Sequence, residues 1–222
     1  MEKYIELNNI TYEYKNGIKV FEDFSLKINC EEFAFISGKN GSGKTTLTKL
    51  IMGILKPQKG NIHIFSKDIK NLSLGQIGQE IGYVFQFPER QLFTTSVIEE
   101  LTFPLLFKGE DKKNVLRKAE ELLDTFELEK LRNSYPHLLS YGEKRRLAIA
   151  AVLMNEPKYL ILDEPTASLD DSRIVILSRT LDVLRSRNIG ILVISHNKNF
   201  IGKHAQRIII LEGGRIIRDE QI

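Results

Sequence analysis

Eight consecutive residues, Gly38-Lys39-Asn40-Gly41-Ser42-Gly43-Lys44-Thr45, fit the pattern G-x-x-x-x-G-K-[ST]. Glycines at this spacing let successive backbone N–H groups curl around phosphate oxygens without Cβ obstruction. A helix starting at their end adds positive potential at its N-terminus. Lys44 is then placed to reach β- and γ-phosphates, and the Thr45 hydroxyl to ligate Mg2+. Gly38 through Thr45, with the adjoining Thr46, are candidate nucleotide-binding residues. Further along, Tyr159-Leu160-Ile161-Leu162 runs into Asp163 and Glu164. Alone, two acids at a strand end serve to cap the next helix. Beside a phosphate loop they divide a task. Asp163 holds the Mg2+ shell, while Glu164 polarises water for attack on the γ-phosphorus.

Ser140-Tyr141-Gly142-Glu143 precedes an apolar helical run of Leu147, Ala151 and Met154. The S-x-x-E spacing is that of a capping box. The same helix N-terminus, with the Ser140 hydroxyl, also offers donors to a phosphate. Spacing does not decide between the two.

Positioning these residues requires strands and helices in alternation. Phe33-Ala34-Phe35-Ile36-Ser37 is a continuous apolar run before the glycines, as expected of a strand buried on both faces. Leu47, Leu50, Ile51, Ile54 and Leu55 follow at the spacing of a core-facing helix. Val115, Leu116, Ala119, Leu122, Leu123 and Phe126 form a second helical face. Two more strand–helix units close the chain: Tyr159–Leu162 with an Ile174/Leu177/Leu181/Leu184 stripe, then Ile191–Ile194. Arg207 to Arg218 reads as a hairpin turning at Gly213-Gly214. Residues 4–30 alternate apolar and polar positions around Lys15-Asn16-Gly17, predicting short antiparallel strands. The whole predicts an α/β P-loop core with a parallel sheet, an N-terminal antiparallel β subdomain, and a helical subdomain over roughly 88–155. Residues 1–222 are expected to form one domain.

Composition is consistent with a soluble cytosolic chain. Of 222 residues, 27% are charged and 42% hydrophobic, with a net charge of +3, short of a polybasic nucleic-acid arm. Cys30 is the single cysteine, which excludes an intramolecular disulfide. The opening MEKYIELNNI lacks an apolar signal core. Nor does any stretch approach the ~20 apolar residues of a membrane span.

Taken in order, the 38–45 loop, Leu139-Ser140-x-Gly142, the 159–164 strand, Thr166-Ala167-Ser168-Leu169-Asp170 and Ser195-His196 resemble the motifs of ABC-type ATPases over nearly the whole chain. The resemblance implies ATP and Mg2+ as cofactors. It implies that Tyr14 stacks on adenine, that Gln86 is the Q-loop glutamine at nucleotide and metal, and that Ser168 to Asp170 form the D-loop. It makes His196 the switch histidine at the γ-phosphate, catalytic beside Glu164, and gives Ser140 and Gly142 to a nucleotide. The implied metal ligands are Thr45, Gln86 and Asp163. ABC motors close as head-to-tail dimers, so a second ABC ATPase subunit, identical or paralogous, is the implied partner.

The segment Val84-Phe85-Gln86-Phe87-Pro88-Glu89-Arg90-Gln91-Leu92-Phe93 is similar to that of energy-coupling factor ATPases, which drive vitamin and transition-metal uptake through separate membrane subunits. That similarity implies integral membrane partners contacted near Phe87 to Thr95, no nucleic-acid partner, and a peripheral position on the cytoplasmic face of the cell membrane. Two signature positions depart from the family: Tyr141 replaces a glycine and Glu143 a glutamine. The expectation is that the site this signature completes is the less active one of a pair. Competing readings are a GTPase or small-molecule kinase, disfavoured because Asn197-Lys198-Asn199-Phe200 lacks the aspartate of N-K-x-D, and a non-transport ABC ATPase acting on nucleic acid or ribosomes. A regulatory module without turnover is disfavoured by the Asp163-Glu164 pair.

Overall fold

The structure is a computed structural model, and it describes residues 4–167, 169, 171–187 and 189–222. Its centre is a six-stranded sheet. Strands β3 (Phe33–Ser37), β6 (Ile81–Val84), β7 (Tyr159–Asp163), β8 (Gly190–Ile194) and β9 (Arg207–Glu212) run parallel, and β10 (Arg215–Gln221) closes one edge antiparallel to β9. The order across the sheet is β10-β9-β3-β8-β7-β6. Strands β7 and β8 are buried at every position, which accounts for their unbroken apolar sequences.

Side-chain alternation divides this sheet between two cores. Phe33 and Phe35 of β3 pack with Leu160, Leu162, Ile191 and Val193 against α3 (Val97–Phe107), α4 (Lys112–Thr125), α5 (Tyr141–Leu153) and α6 (Asp171–Ser186). Ala34 and Ile36 face the opposite core, with Tyr159, Ile161, Leu192 and Ile194. That core holds α1 (Lys44–Ile51) and a four-stranded antiparallel sheet.

The antiparallel sheet has the order β2-β1-β4-β5. Its first two strands, β1 (Tyr4–Glu13) and β2 (Lys19–Asn29), match the expected hairpin, with Gly17 at φ +82° in the turn. Half of its strands come from elsewhere: β4 (Lys59–Ile64) pairs with β1, and β5 (Lys67–Asp68) with β4. The sheet is therefore assembled across α1 and is not purely N-terminal. Helix α1 is shorter than its apolar stripe predicts. It stops at Ile51 because Gly53 turns left-handed at φ +69°, and the Ile54 amide donates back to Lys49 O. Ile54 is exposed as a result. A short helix absent from the sequence reading, α2 (Leu74–Glu80), leads into β6 with a Ser73/Gln76 capping box. The last helix, α7 (Lys198–His204), follows β8. The terminal hairpin turns at Gly213 (φ +54°) and Gly214 (φ +74°), as expected of paired left-handed residues. Among the described residues no helix is long and apolar enough to cross a membrane.

Candidate functional site

Parallel register brings the chemistry to one end of the sheet. Ile36 pairs with Ile194, Asp163 with Ile194, and Val84 with Leu162. The segments leaving β3, β6, β7 and β8 are the glycine loop, Gln86, Glu164 and Ser195-His196. All four exit at the carboxyl ends of the strands, where open α/β sheets bind ligands. Between them lies a cleft of about 1000 Å3 lined by Gly41, Gly43, Lys44, Thr45, Thr46, Gln86, Glu164 and His196 among others.

The loop is shaped by its glycines. Gly38 (φ +144°) lies so close to β9 that an added Cβ would sit 2.1 Å from Leu211 O. Gly43 (φ +105°) precedes α1, and a Cβ there would strike the Phe21 ring at 2.8 Å. No side chain caps α1, so its first N–H groups are left as donors for an anion. The Ser42 hydroxyl is buried within the loop without a hydrogen-bond partner, a polar atom suited to a phosphate oxygen. Lys44 is buried and donates to Gly38 O at 2.6 Å and Lys39 O at 3.1 Å. Burial pulls its ammonium below the usual lysine range, while the Glu164 and Asp163 carboxyls work against that shift. The Lys39 side chain turns out to Glu212 at 3.0 Å, in an exposed pair.

Glu164 follows β7 in a left-handed conformation (φ +47°), its amide bonded to Ile194 O. A side chain in this sparsely populated region stores strain of the kind that collects at functional sites. His196 Nε2 lies 3.0 Å from Glu164 Oε1. Burial pushes the Glu164 carboxyl up to about 7; Lys44 opposes the rise and Asp163 adds to it. Burial, aided by Lys44, lowers the basicity of His196. Asp163 is also raised by burial, against the pull of the Tyr83 hydrogen bond, Lys44 and Lys49.

The proposed metal ligands Thr45, Gln86 and Asp163 line a side chamber of about 380 Å3 that opens beside the cleft. A hydroxyl, a carboxamide and a carboxylate form an all-oxygen donor set, which suits a hard cation such as Mg2+. Among the described residues no cluster of three His, Cys, Asp or Glu exists, so this mixed set is the chemistry available. Tyr14 lies on the cleft wall with Ile18 and Val20. Its hydroxyl is 2.9 Å from Thr46 Oγ1 and its ring meets Tyr12 edge-on, whereas Tyr12 itself is core.

Ser140 and Gly142 do not line the cleft. Ser140 and Glu143 form the full capping box of α5: Glu143 N donates to Ser140 Oγ, and Ser140 N to Glu143 Oε2. That bond holds the Glu143 carboxyl below its ordinary range. Ser168 and Asp170 of the expected D-loop lie outside the described residues.

One residue of the site is absent from the sequence reading. Tyr83 on β6 donates its phenol to Asp163 Oδ2 at 2.8 Å and lies 3.3 Å from Thr48 Oγ1. Burial, reinforced by Asp163, holds that phenol protonated. Its only sequence signal is a hydroxyl-bearing ring in an otherwise apolar strand, three residues before Gln86.

A family model described as ABC transporter matches residues 21–167. The chain belongs to the ABC transporter ATP-binding family. The energy-coupling factor transporter ATP-binding protein EcfA2 of Acetivibrio thermocellus is 34% identical over 218 residues, covering 96% of this chain and 78% of that protein. The structure of cbiO1 from Clostridium perfringens, described as part of the ABC transporter complex cbiONQ, superposes with a TM-score of 0.92 at 30% identity, over 100% of this chain and 89% of that one. A dimeric post-hydrolysis structure of the ATP-binding cassette MJ0796, bound to ADP and phosphate, gives a TM-score of 0.85 at 30% identity, over 98% of each chain. The chain spans little more than a third, 35–39%, of the length of several longer curated relatives.

Proposed function

We propose that this chain binds ATP with Mg2+ in the cleft and hydrolyses it to drive uptake of a vitamin or metal ion through separate membrane subunits, as in energy-coupling factor importers. One observation carries the reading: from four strand ends the glycine loop, Gln86, Glu164 and His196 reach one cleft, and Asp163 reaches the chamber beside it that shares Thr45 and Gln86. Lys44 and the loop N–H groups bind the β- and γ-phosphates. Tyr14 stacks on the adenine, a contact worth roughly 1–3 kcal/mol, with Ile18 and Val20 beside it. Glu164 takes the proton of the attacking water, and His196 holds that carboxyl in place. Thr45, Gln86 and Asp163 would hold Mg2+, whose chemical contribution when bound would be positive charge against the negative charge developing on the phosphates. Catalysis is then mostly positioning and charge stabilisation. Ser140 and Gly142, lying off the cleft, serve the nucleotide of a second ABC ATPase subunit, identical or paralogous.

A row of exposed aromatics supports the membrane-partner reading. Phe87, Phe93, Phe103 and Phe107 are all exposed; Phe93 meets Phe103 edge-on at 5.6 Å, and Phe103 stacks on Phe107 at 5.8 Å. Contiguous exposed apolar surface of this kind marks an interaction site. The buried Glu100 carboxylate fixes its edge, accepting from the Phe93 and Thr94 amides and the Thr94 hydroxyl. Phe87 to Thr95 is thus the surface for the integral membrane subunits, and the chain works at the cytoplasmic membrane face. Affinity isolation of the full chain from membranes tests this. We expect integral membrane proteins and an ABC ATPase subunit in the eluate; recovery with no integral membrane protein would contradict the transport assignment.

A further inference from the structure

Tyr141 departs from the family glycine, and its side chain has a specific partner. The phenol donates to the backbone carbonyl of Gln86 at 2.9 Å. Arg145, one helical turn along α5, donates through Nη2 to the same carbonyl at 2.9 Å and to the Tyr141 hydroxyl at 2.7 Å. Its guanidinium also lies over the Tyr141 ring, 4.9 Å from the centroid.

The cost of this arrangement shows that it is not incidental packing. Arg145 is only 3% exposed, yet its Nε and Nη1 find no hydrogen-bond partner. Glu89 Oε2 is likewise buried and unpartnered. Burying a guanidinium is expensive; Glu89 favours the charge from nearby, but the acceptors this one bonds are Gln86 O and Tyr141 Oη. The charge is thus spent on the backbone of the segment that carries Gln86.

We propose that Tyr141 and Arg145 form a clasp on the Gln86 carbonyl, so that the start of α5 sets the position of the glutamine facing the nucleotide. Tyr141 and Arg145 are positioning residues, acting through Gln86. The effect on turnover rests on the nucleotide reading given above; the clasp itself does not. It makes a same-chain link between the signature helix, whose nucleotide belongs to the partner subunit, and this chain's own cleft.

The test is Tyr141→Phe in the full chain, which removes one donor and keeps the ring beneath Arg145. Amide exchange is read without nucleotide at Phe85, Arg90 and Gln91. The Phe85 amide bonds Gln91 Oε1, and the other two bond Phe87 O and Pro88 O within the loop. Loss of one hydrogen bond should speed exchange at these three by roughly 2- to 10-fold, with β3 and β8 amides changing by no more than the shift of the unfolding midpoint requires. In the same variant kcat for ATP should fall by a similar factor at unchanged KM. Unaltered exchange at all three amides would overturn the clasp, whether or not the protein turns over ATP.

Discussion

At the residue scale, Lys44 is the group on which the site's electrostatics turn. It is a buried ammonium that bonds two loop carbonyls and lies within the field of Asp163 and Glu164. Removing it leaves the buried Asp163 and half-buried Glu164 carboxyls without their nearby cation and the phosphates without a charge-assisted donor. Lys44→Ala should therefore weaken ATP binding by roughly 10- to 100-fold, measured by titration calorimetry. The residues of this site were largely legible in the sequence because the glycine loop, the acid pair and Ser195-His196 each sit where one strand ends. Tyr83 was not legible. Its role depends on β6 lying beside β7, with Tyr83 opposite Ile161, two positions before Asp163. An aromatic in an apolar strand otherwise reads as packing. For Ser140 and Glu143 the sequence allowed a cap or a phosphate site. The structure forms the cap, and the Tyr141 hydroxyl bonds the Gln86 carbonyl of its own chain.

At the element scale, the parallel sheet followed from unbroken apolar runs, whereas the antiparallel sheet was only half visible. Strands β4 and β5 are short, and β4 gains its place by pairing with β1 48 to 59 residues away. The alternation of Ile62 and Ile64 around His63 is too brief to announce that pairing. The junction between the two sheets holds a testable contact. Glu80, the last residue of α2, bonds Lys67 of β5 and Lys158 just before β7, and its carbonyl accepts the Lys158 amide. Burial raises its carboxyl, but the two lysines together hold it below the ordinary glutamate value of 4.5. A lowered folded-state pKa contributes stability that is present above the unfolded value and lost as pH falls through the folded one. Glu80→Gln should thus cost under about 1 kcal/mol at neutral pH. The difference from the parent should shrink on acidification below pH 4.5, read by denaturant melts across pH; a gap that widens in acid would contradict it.

At the scale of the whole molecule, the fold separates three surfaces. The cleft gathers the loop, Gln86, Glu164 and His196, with Asp163 in the chamber beside it. Ser140 and Gly142 at the start of α5 do not line the cleft, although Tyr141 bonds the carbonyl of Gln86 on its wall. The Phe93-Phe103-Phe107 row stands on the helical side, as a face for a membrane partner would. In the proposed function one chemical event joins these surfaces, attack of water on the γ-phosphorus with Glu164 as base. Its most direct test is Glu164→Gln, assayed in parallel for ATP affinity and for phosphate release. Affinity should match the parent's, and turnover should be slower by ~10²–10⁴-fold. Near-normal turnover in that variant would contradict it.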